Sequence, residues 1–187
     1  LHVQQLRADA LTAQLCEALE TNSFDSLHYS LQSVNDILLY VYQGSRLVYW
    51  TDSWLSSSYV PMRDVYDKWQ YAQWNNAKGI CKRTRLGDIH VLTVIPIKYA
   101  YRVTSKSLHN TFIQPFKGDA SWGLVRRQSQ KADLYPVYSI DGEYLFSLQK
   151  VSQLQALQED IHVENFSYQT ILASEKHEEN SSRSKLF

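Results

Sequence analysis

Residues 37–52 read ILLYVYQGSRLVYWTD. Two runs rich in aromatic and β-branched residues flank Gln43, Gly44, Ser45 and Arg46. Such side chains suit a pleated, half-buried surface. A short polar link containing glycine between two such runs is a hairpin signal. The second run ends in Trp50, Thr51 and Asp52, which sets a large ring beside a carboxylate where the strand gives out. A hairpin here, downstream of a helical stretch, predicts a mixed α/β module.

Two more hairpins extend the pattern. Residues 79–99 carry GICKRTRL, a Gly87-Asp88 turn and the return run IHVLTVIPIKY. In the outgoing strand Ile80, Lys82, Thr84 and Leu86 share one face, and Cys81, Arg83 and Arg85 share the other. The nearly continuous apolar return run predicts a central strand covered on both faces. Pro96 has no N–H to donate, so pairing is expected to end or bulge near Ile95–Ile97. Residues 135–148 (YPVYSIDGEYLFSL) hold Asp141-Gly142, a pair suited to a tight turn with positive φ.

Around these hairpins the reading is helical or irregular. Val3, Leu6, Ala10, Leu11, Leu15, Ala18 and Leu19 recur at spacings of three and four, predicting one helix over residues 1–21. A second, short helix is expected over 24–34, with Phe24, Leu27, Leu31 and Val34 inward. Ser56, Ser57, Ser58 and Pro61 read as a loop. Residues 64–77, with Trp69, Tyr71 and Trp74 on no clean period, read as a bent strand or a helical turn leading into one, and Asn75-Asn76 as a turn. Ser105 or Ser107 is expected to cap a short helix holding Leu108, Phe112 and Ile113, ended by Pro115. Residues 118–134 read as loop, with one strand at Trp122–Val125. Residues 149–160 are helix-like, 162–173 strand or helix, and 174–187 polar and flexible.

Composition narrows the function classes. Hydrophobic residues make up 44% of the 187, enough for a core, and thirteen Tyr with five Trp favour strands over a helical bundle. Nineteen basic residues balance nineteen acidic ones, so nucleic acid is not expected as a partner. No apolar run approaches the ~18–20 residues of a spanning helix. The chain opens on Leu1 in a helical pattern, without methionine or signal-peptide pattern, and is expected to be the soluble part of something larger. Cys16 and Cys81 lack metal-type spacing: they read as two buried or half-buried thiols, the alternative being a disulfide pinning the first helix to the sheet.

No phosphate-binding glycine loop, no His-Glu-x-x-His and no Gly-x-Ser-x-Gly occurs, and the six histidines are scattered singly. No catalytic set, metal site or cofactor is therefore expected, and an enzyme is the least favoured reading. His90 reads as a satisfied or exposed strand histidine. Aromatic and basic groups at strand ends remain as candidates for a pocket holding a small, anionic ligand: Trp50, Asp52, Trp69, Trp74, Arg83, Lys98, Tyr99, Tyr101 and Arg102. Strand Tyr and Trp ordinarily pack on the sheet or a covering helix, and alternate Lys and Arg ordinarily face solvent, so that packing is the plainer reading of any one of them.

In order, the chain offers a long helix, a short helix, a hairpin ending Leu-Val-Tyr-Trp-Thr-Asp and a Trp-Asn segment. A Gly-Asp hairpin returning through Ile-Pro-Ile-Lys-Tyr follows, then Asn-Thr-Phe and a hairpin with Asp-Gly-Glu-Tyr-Leu-Phe-Ser-Leu. Over roughly residues 1–150 this resembles the periplasmic sensor regions of membrane-bound two-component histidine kinases of Bacteroidetes-type bacteria, PAS-like folds of the PDC/Cache kind. It departs from them at residues 100–105, AYRVTS, where an Asn or Glu-Asn is common, and in running on past the last hairpin. The resemblance implies an α+β fold: a PAS-like, Cache-like central antiparallel sheet with a long N-terminal helix and flanking short helices. It implies one sensor domain over residues 1–173, made of helix 1–21, sheet domain 24–148 and extension 149–173, followed by the tail 174–187. It implies a non-catalytic domain in the periplasm, tethered to the bacterial inner membrane, that passes a small ligand's or partner's signal to a kinase. A homodimer through the first helix, along Val3, Leu6, Ala10, Ala13 and Leu15, is the implied route. The alternative is an interaction or structural module of the same fold without a small-molecule ligand.

Overall fold

The computed structural model describes residues 1–21, 36–55, 66–101, 109–126 and 133–150. The chain divides into two compact units, Leu1–Lys150 and Val151–Phe187, and the described residues all lie in the first. The short helix expected over 24–34, the serine loop at 56–58, Arg102, Ser105, Ser107, Leu108 and everything past residue 150 fall outside the described residues.

Residues His2–Glu20 form helix α1, as the periodicity predicts. The first hairpin is strand β1 (Leu38–Gln43) and strand β2 (Arg46–Trp50). A four-residue strand β3 (Gln70–Gln73) sits between Trp69 and Trp74. It turns into β4 (Ala77–Leu86), which pairs with β5 (Ile89–Tyr99). Strand β6 (Trp122–Val125) occupies the expected four residues, and the last hairpin is β7 (Leu134–Tyr138) and β8 (Tyr144–Lys150). Gly142 closes the turn of that hairpin, its amide donating to the Ser139 carbonyl at 3.0 Å, with φ +78°, which a side chain would resist. Gln149 and Lys150, expected to begin a helix-like extension, complete β8.

The fold is α+β and its strand pairing antiparallel. Among the described residues five strands make one sheet in the order β2-β1-β5-β4-β3, and three make a second in the order β6-β8-β7. β5 is the centre of the larger sheet and residues 91–98 are all buried. Each of its Val, Leu and Ile side chains contributes on the order of 1.5–3 kcal/mol by leaving water. The bulge falls where Pro96 suggests: Gly79 pairs with Pro96 but Lys78 with Lys98, leaving Ile97 over. The two strands close so tightly there that a Cβ on Gly79 would press on the Ile95 carbonyl oxygen and lie 2.9 Å from Pro96 Cα. A second bulge interrupts the edge hairpin, where Val41 pairs with Tyr49 but Tyr42 with Leu47, so that Val48 is the extra residue.

Phe112 and Ile113, expected on a short helix, instead run extended beside the end of β5. Phe112 bridges to Lys98 and the Ile113 amide donates to the Ile97 carbonyl at 2.8 Å. The open backbone at the end of β5 offers them partners that one helical turn would forgo.

The larger sheet has two differently covered faces. On one, Ala8, Ile37, Trp69, Ile80, Ile95, Ile97, Leu124, Leu145 and Phe146 form a core shared by α1 and the second sheet, and Leu15, Leu39, Val41 and Val91 form another under the helix. α1 meets this face with Gln4, Gln5, Ala8, Thr12, Leu15 and Ala18. Small side chains let it approach β5 closely, where the Thr12 and Thr93 hydroxyls hydrogen-bond at 2.6 Å, and Gln5 Oε1 accepts from the Ile140 amide at 3.1 Å. The cost is borne outside: Val3 and Leu6 are 69% and 57% exposed, and Ala10 and Ala13 face solvent with them. Leu15, expected on that outward seam, is instead fully buried against the sheet.

The opposite face carries Leu38, Tyr40, Leu55, Ala72, Trp74, Ala77, Cys81, Leu92, Val94 and Ile113. Cys81 belongs to this side and Cys16 packs under the helix on the other. Both are free thiols, which decides between the two cysteine readings.

Candidate ligand-binding face

The face away from α1 is built by register. β1, β5 and β4 lie side by side, so paired residues form rows across the sheet. Tyr42, His90 and Arg85 make one row, Tyr40, Leu92 and Arg83 the next, and Leu38, Val94 and Cys81 the third. Neighbours within a row stand about 5 Å apart, close enough for long side chains to meet across a shorter one. The third row is apolar floor, whereas the first two concentrate phenols, guanidinium groups and an imidazole. Tyr66 lies over this end, its ring 5.8 Å from that of His90 and 4.8 Å from the Arg83 guanidinium carbon, a cation–π distance.

Three polar atoms here are buried without a hydrogen-bond partner: Tyr40 Oη, Arg83 Nε and His90 Nδ1. Buried polar groups are normally satisfied, so three in adjacent positions of one face are a concentrated cost. Arg83 also has no carboxylate partner among the described residues, whose ion pairs are Arg7–Asp36, Lys68–Glu143 and Lys82–Asp9. The electrostatics follow. Burial, reinforced by Tyr42 and Asp52, pushes the Tyr40 phenol up to about 12. Burial raises Tyr42 as well, with Arg83 pulling the other way. Burial, then Arg83 and Arg85, holds His90 below its ordinary value against the pull of Asp88.

The other end of the face is an aromatic corner. Tyr99 stacks on Tyr101 at 5.3 Å and meets Trp54 edge-on at 5.6 Å. Asn76 Nδ2 donates to the Trp54 carbonyl at 2.6 Å, and the Asn110 side chain accepts from the Tyr101 amide at 2.7 Å. These bonds fix the corner's two loops to the sheet.

Of the candidates from the sequence, Trp50, Trp74, Arg83, Tyr99 and Tyr101 belong to this face or its rim. Trp50 pairs with Tyr40 on the edge strand and is 49% exposed, while Trp74 is buried in the floor. Asp52 closes the hairpin: its Oδ1 accepts from the Trp54 amide at 3.1 Å, an Asx turn. Trp69 and Lys98 lie on the opposite face. Trp69 is buried with Lys82 5.6 Å above its ring. Lys98 is buried and donates to the Ala120 carbonyl at 2.9 Å and to the Trp122 carbonyl, tying the approach to β6 onto β5. The bulge at Ile97 sets Lys98 on that side. Tyr40, Tyr42, Tyr66 and His90 escaped the sequence reading as site residues. Tyr40 and Tyr42 look like ordinary strand aromatics, and only the β1–β5 register sets Tyr42 opposite His90.

Among the described residues no group of three His, Cys, Asp or Glu could hold a metal ion. No described helix is long and apolar enough to cross a membrane. Comparison with models of known families, with curated proteins and with solved structures found no match in any of the three.

Proposed function

We propose that residues 1–150 form an extracytoplasmic signal-sensing domain of the PAS-like, PDC/Cache kind, belonging to a membrane-bound two-component histidine kinase. In this reading the domain stands in the periplasm, is not itself catalytic, and reports a small ligand to a kinase across the inner membrane. One observation carries it: the sheet face opposite α1 holds adjacent buried polar groups without partners, Tyr40, Arg83 and His90. Unpaired buried groups call for an explanation, and a ligand that completes them supplies one. α1 on the other face is the transmitting element. Its outward residues Val3, Leu6, Ala10 and Ala13 recur at spacings of three, four and three, the pattern of a helix–helix seam, and support a homodimer through α1.

A thermal-shift screen of the chain against metabolites, sugars, amino acids and metals tests the sensing role. A specific ligand at a hundred times its Kd should add about 2.7 kcal/mol to stability, and silence across a broad library counts against the proposal. The dimer is tested by sedimentation of L6E, which should turn a dimer into a monomer while leaving the fold intact, since Leu6 is exposed. A second reading, a protein-interaction module without a small ligand, draws on Val48 and Trp50, exposed at 45% and 49% on the edge strand. It predicts that W50A abolishes partner binding.

A further inference from the structure

Resting on the sensor reading, the chemistry of this face also bears on what the ligand is. Arg83 brings a positive charge whose Nε is buried and makes no hydrogen bond. Tyr40, 7% exposed, brings a hydroxyl with no partner one row-width away, across Leu92. His90, in the adjoining row, brings an imidazole nitrogen in the same condition. All three can donate. Among the described residues no carboxylate pairs with Arg83, the ion pairs being Arg7–Asp36, Lys68–Glu143 and Lys82–Asp9, and Asp52 accepts from the Trp54 amide.

We propose that this end of the face binds the carboxylate of a small, partly apolar organic acid, with Arg83 as counter-ion and Tyr40 and His90 as further donors. An ionised carboxylate is acceptor-only and offers about four lone-pair directions, which suits a guanidinium N–H, a phenol O–H and an imidazole N–H carried on three neighbouring strands of one face. One half-buried guanidinium balances one negative charge, favouring a carboxylate over a doubly charged phosphate. The remaining walls, the rings of Tyr42 and Tyr66 and the Leu92 side chain, are apolar and fit the body of such an acid rather than a second charge.

Isothermal titration of the full chain with benzoate, phenylacetate and indole-3-acetate, each beside its neutral amide, tests this, with glucose and uridine as uncharged probes. At least one carboxylate should bind, and its amide at least tenfold more weakly. Arg83→Gln should cost tenfold or more in affinity, Tyr40→Phe several-fold, and Arg7→Gln, on α1 and paired with Asp36, less than threefold. Tyr40→Phe keeps the test open if Arg83→Gln folds poorly, because it deletes an unpaired group. Equal binding of acid and amide, or an affinity indifferent to both Arg83→Gln and Tyr40→Phe, overturns the assignment. Binding of a neutral probe alone overturns the carboxylate assignment and leaves the sensing role standing. No binding by any probe, with no hit in the broader thermal-shift screen, overturns both.

Discussion

Removing the Tyr40 hydroxyl should stabilise the ligand-free protein. Most buried tyrosines lose stability on truncation to phenylalanine because their hydroxyl is hydrogen-bonded. Tyr40 is 7% exposed and its Oη has no partner. Leaving a buried polar group unsatisfied costs about 1–3 kcal/mol. Phenylalanine keeps the ring, and with it the packing against Leu38, Leu92 and Val94, so Y40F should recover at least about 1 kcal/mol of that penalty. For a chain of this size, about 1 kcal/mol moves Tm by roughly 2–4 °C, here upward. Calorimetry of wild type and Y40F near neutral pH reads this directly. A second measurement checks the same group by its titration. The folded phenol, held at about 12 against an ordinary 10, keeps its proton where the unfolded chain has lost it. Stability therefore falls as pH rises from 10 towards 12, and Y40F should be flatter over that range. A drop in Tm of 2 °C or more in Y40F would mean that the hydroxyl has a partner, and the reasoning about this face would fail.

Other groups give equally direct expectations. K98M removes an ammonium bonded to two backbone carbonyls and should lower stability by about 2–3 kcal/mol, without weakening ligand binding on the opposite face; denaturant unfolding beside titration separates the two effects. Burial pushes the Cys81 thiol up to about 12, so alkylation at about pH 8 should spare Cys81 in the native protein and reach it on unfolding, as peptide mapping would show. His90, held below its ordinary 6.5 by burial and by Arg83 and Arg85, takes up its proton in the unfolded chain first. Stability should then fall as pH drops below 6.5 and be level above it on His90's account, and H90Q should lose part of that acid limb in a series of melts.

How much could be read in advance differs by element. The three hairpins were legible because period-two patterning and a glycine in the turn are local signals. β5 was legible as the central strand because a strand covered on both sides must be apolar throughout, and Pro96 marked the bulge because it cannot donate. The face α1 turns inward was not legible. Hydrophobic periodicity points Val3 and Leu6 to the core, but close approach to β5 selects Ala8 and Thr12. Lys98 was grouped with Tyr99 and Tyr101 as a strand-end pocket group. One leftover residue in the bulge reverses its side, and a single sequence does not count residues across strands. The Tyr40–Arg83 and Tyr42–His90 relations depend on pairing between segments some 40 to 50 residues apart, which no local pattern records.

The kink at Val48 has a consequence for how copies of this protein meet. A sheet's outer strand can template another chain when its free N–H and C=O groups line up over a straight run. β2 is interrupted at its middle residue, and β3, the other edge among the described residues, is four residues long. Neither margin presents enough aligned backbone to nucleate a growing stack. Growth of the five-stranded sheet by edge-to-edge addition of further copies is thereby stopped at its first step.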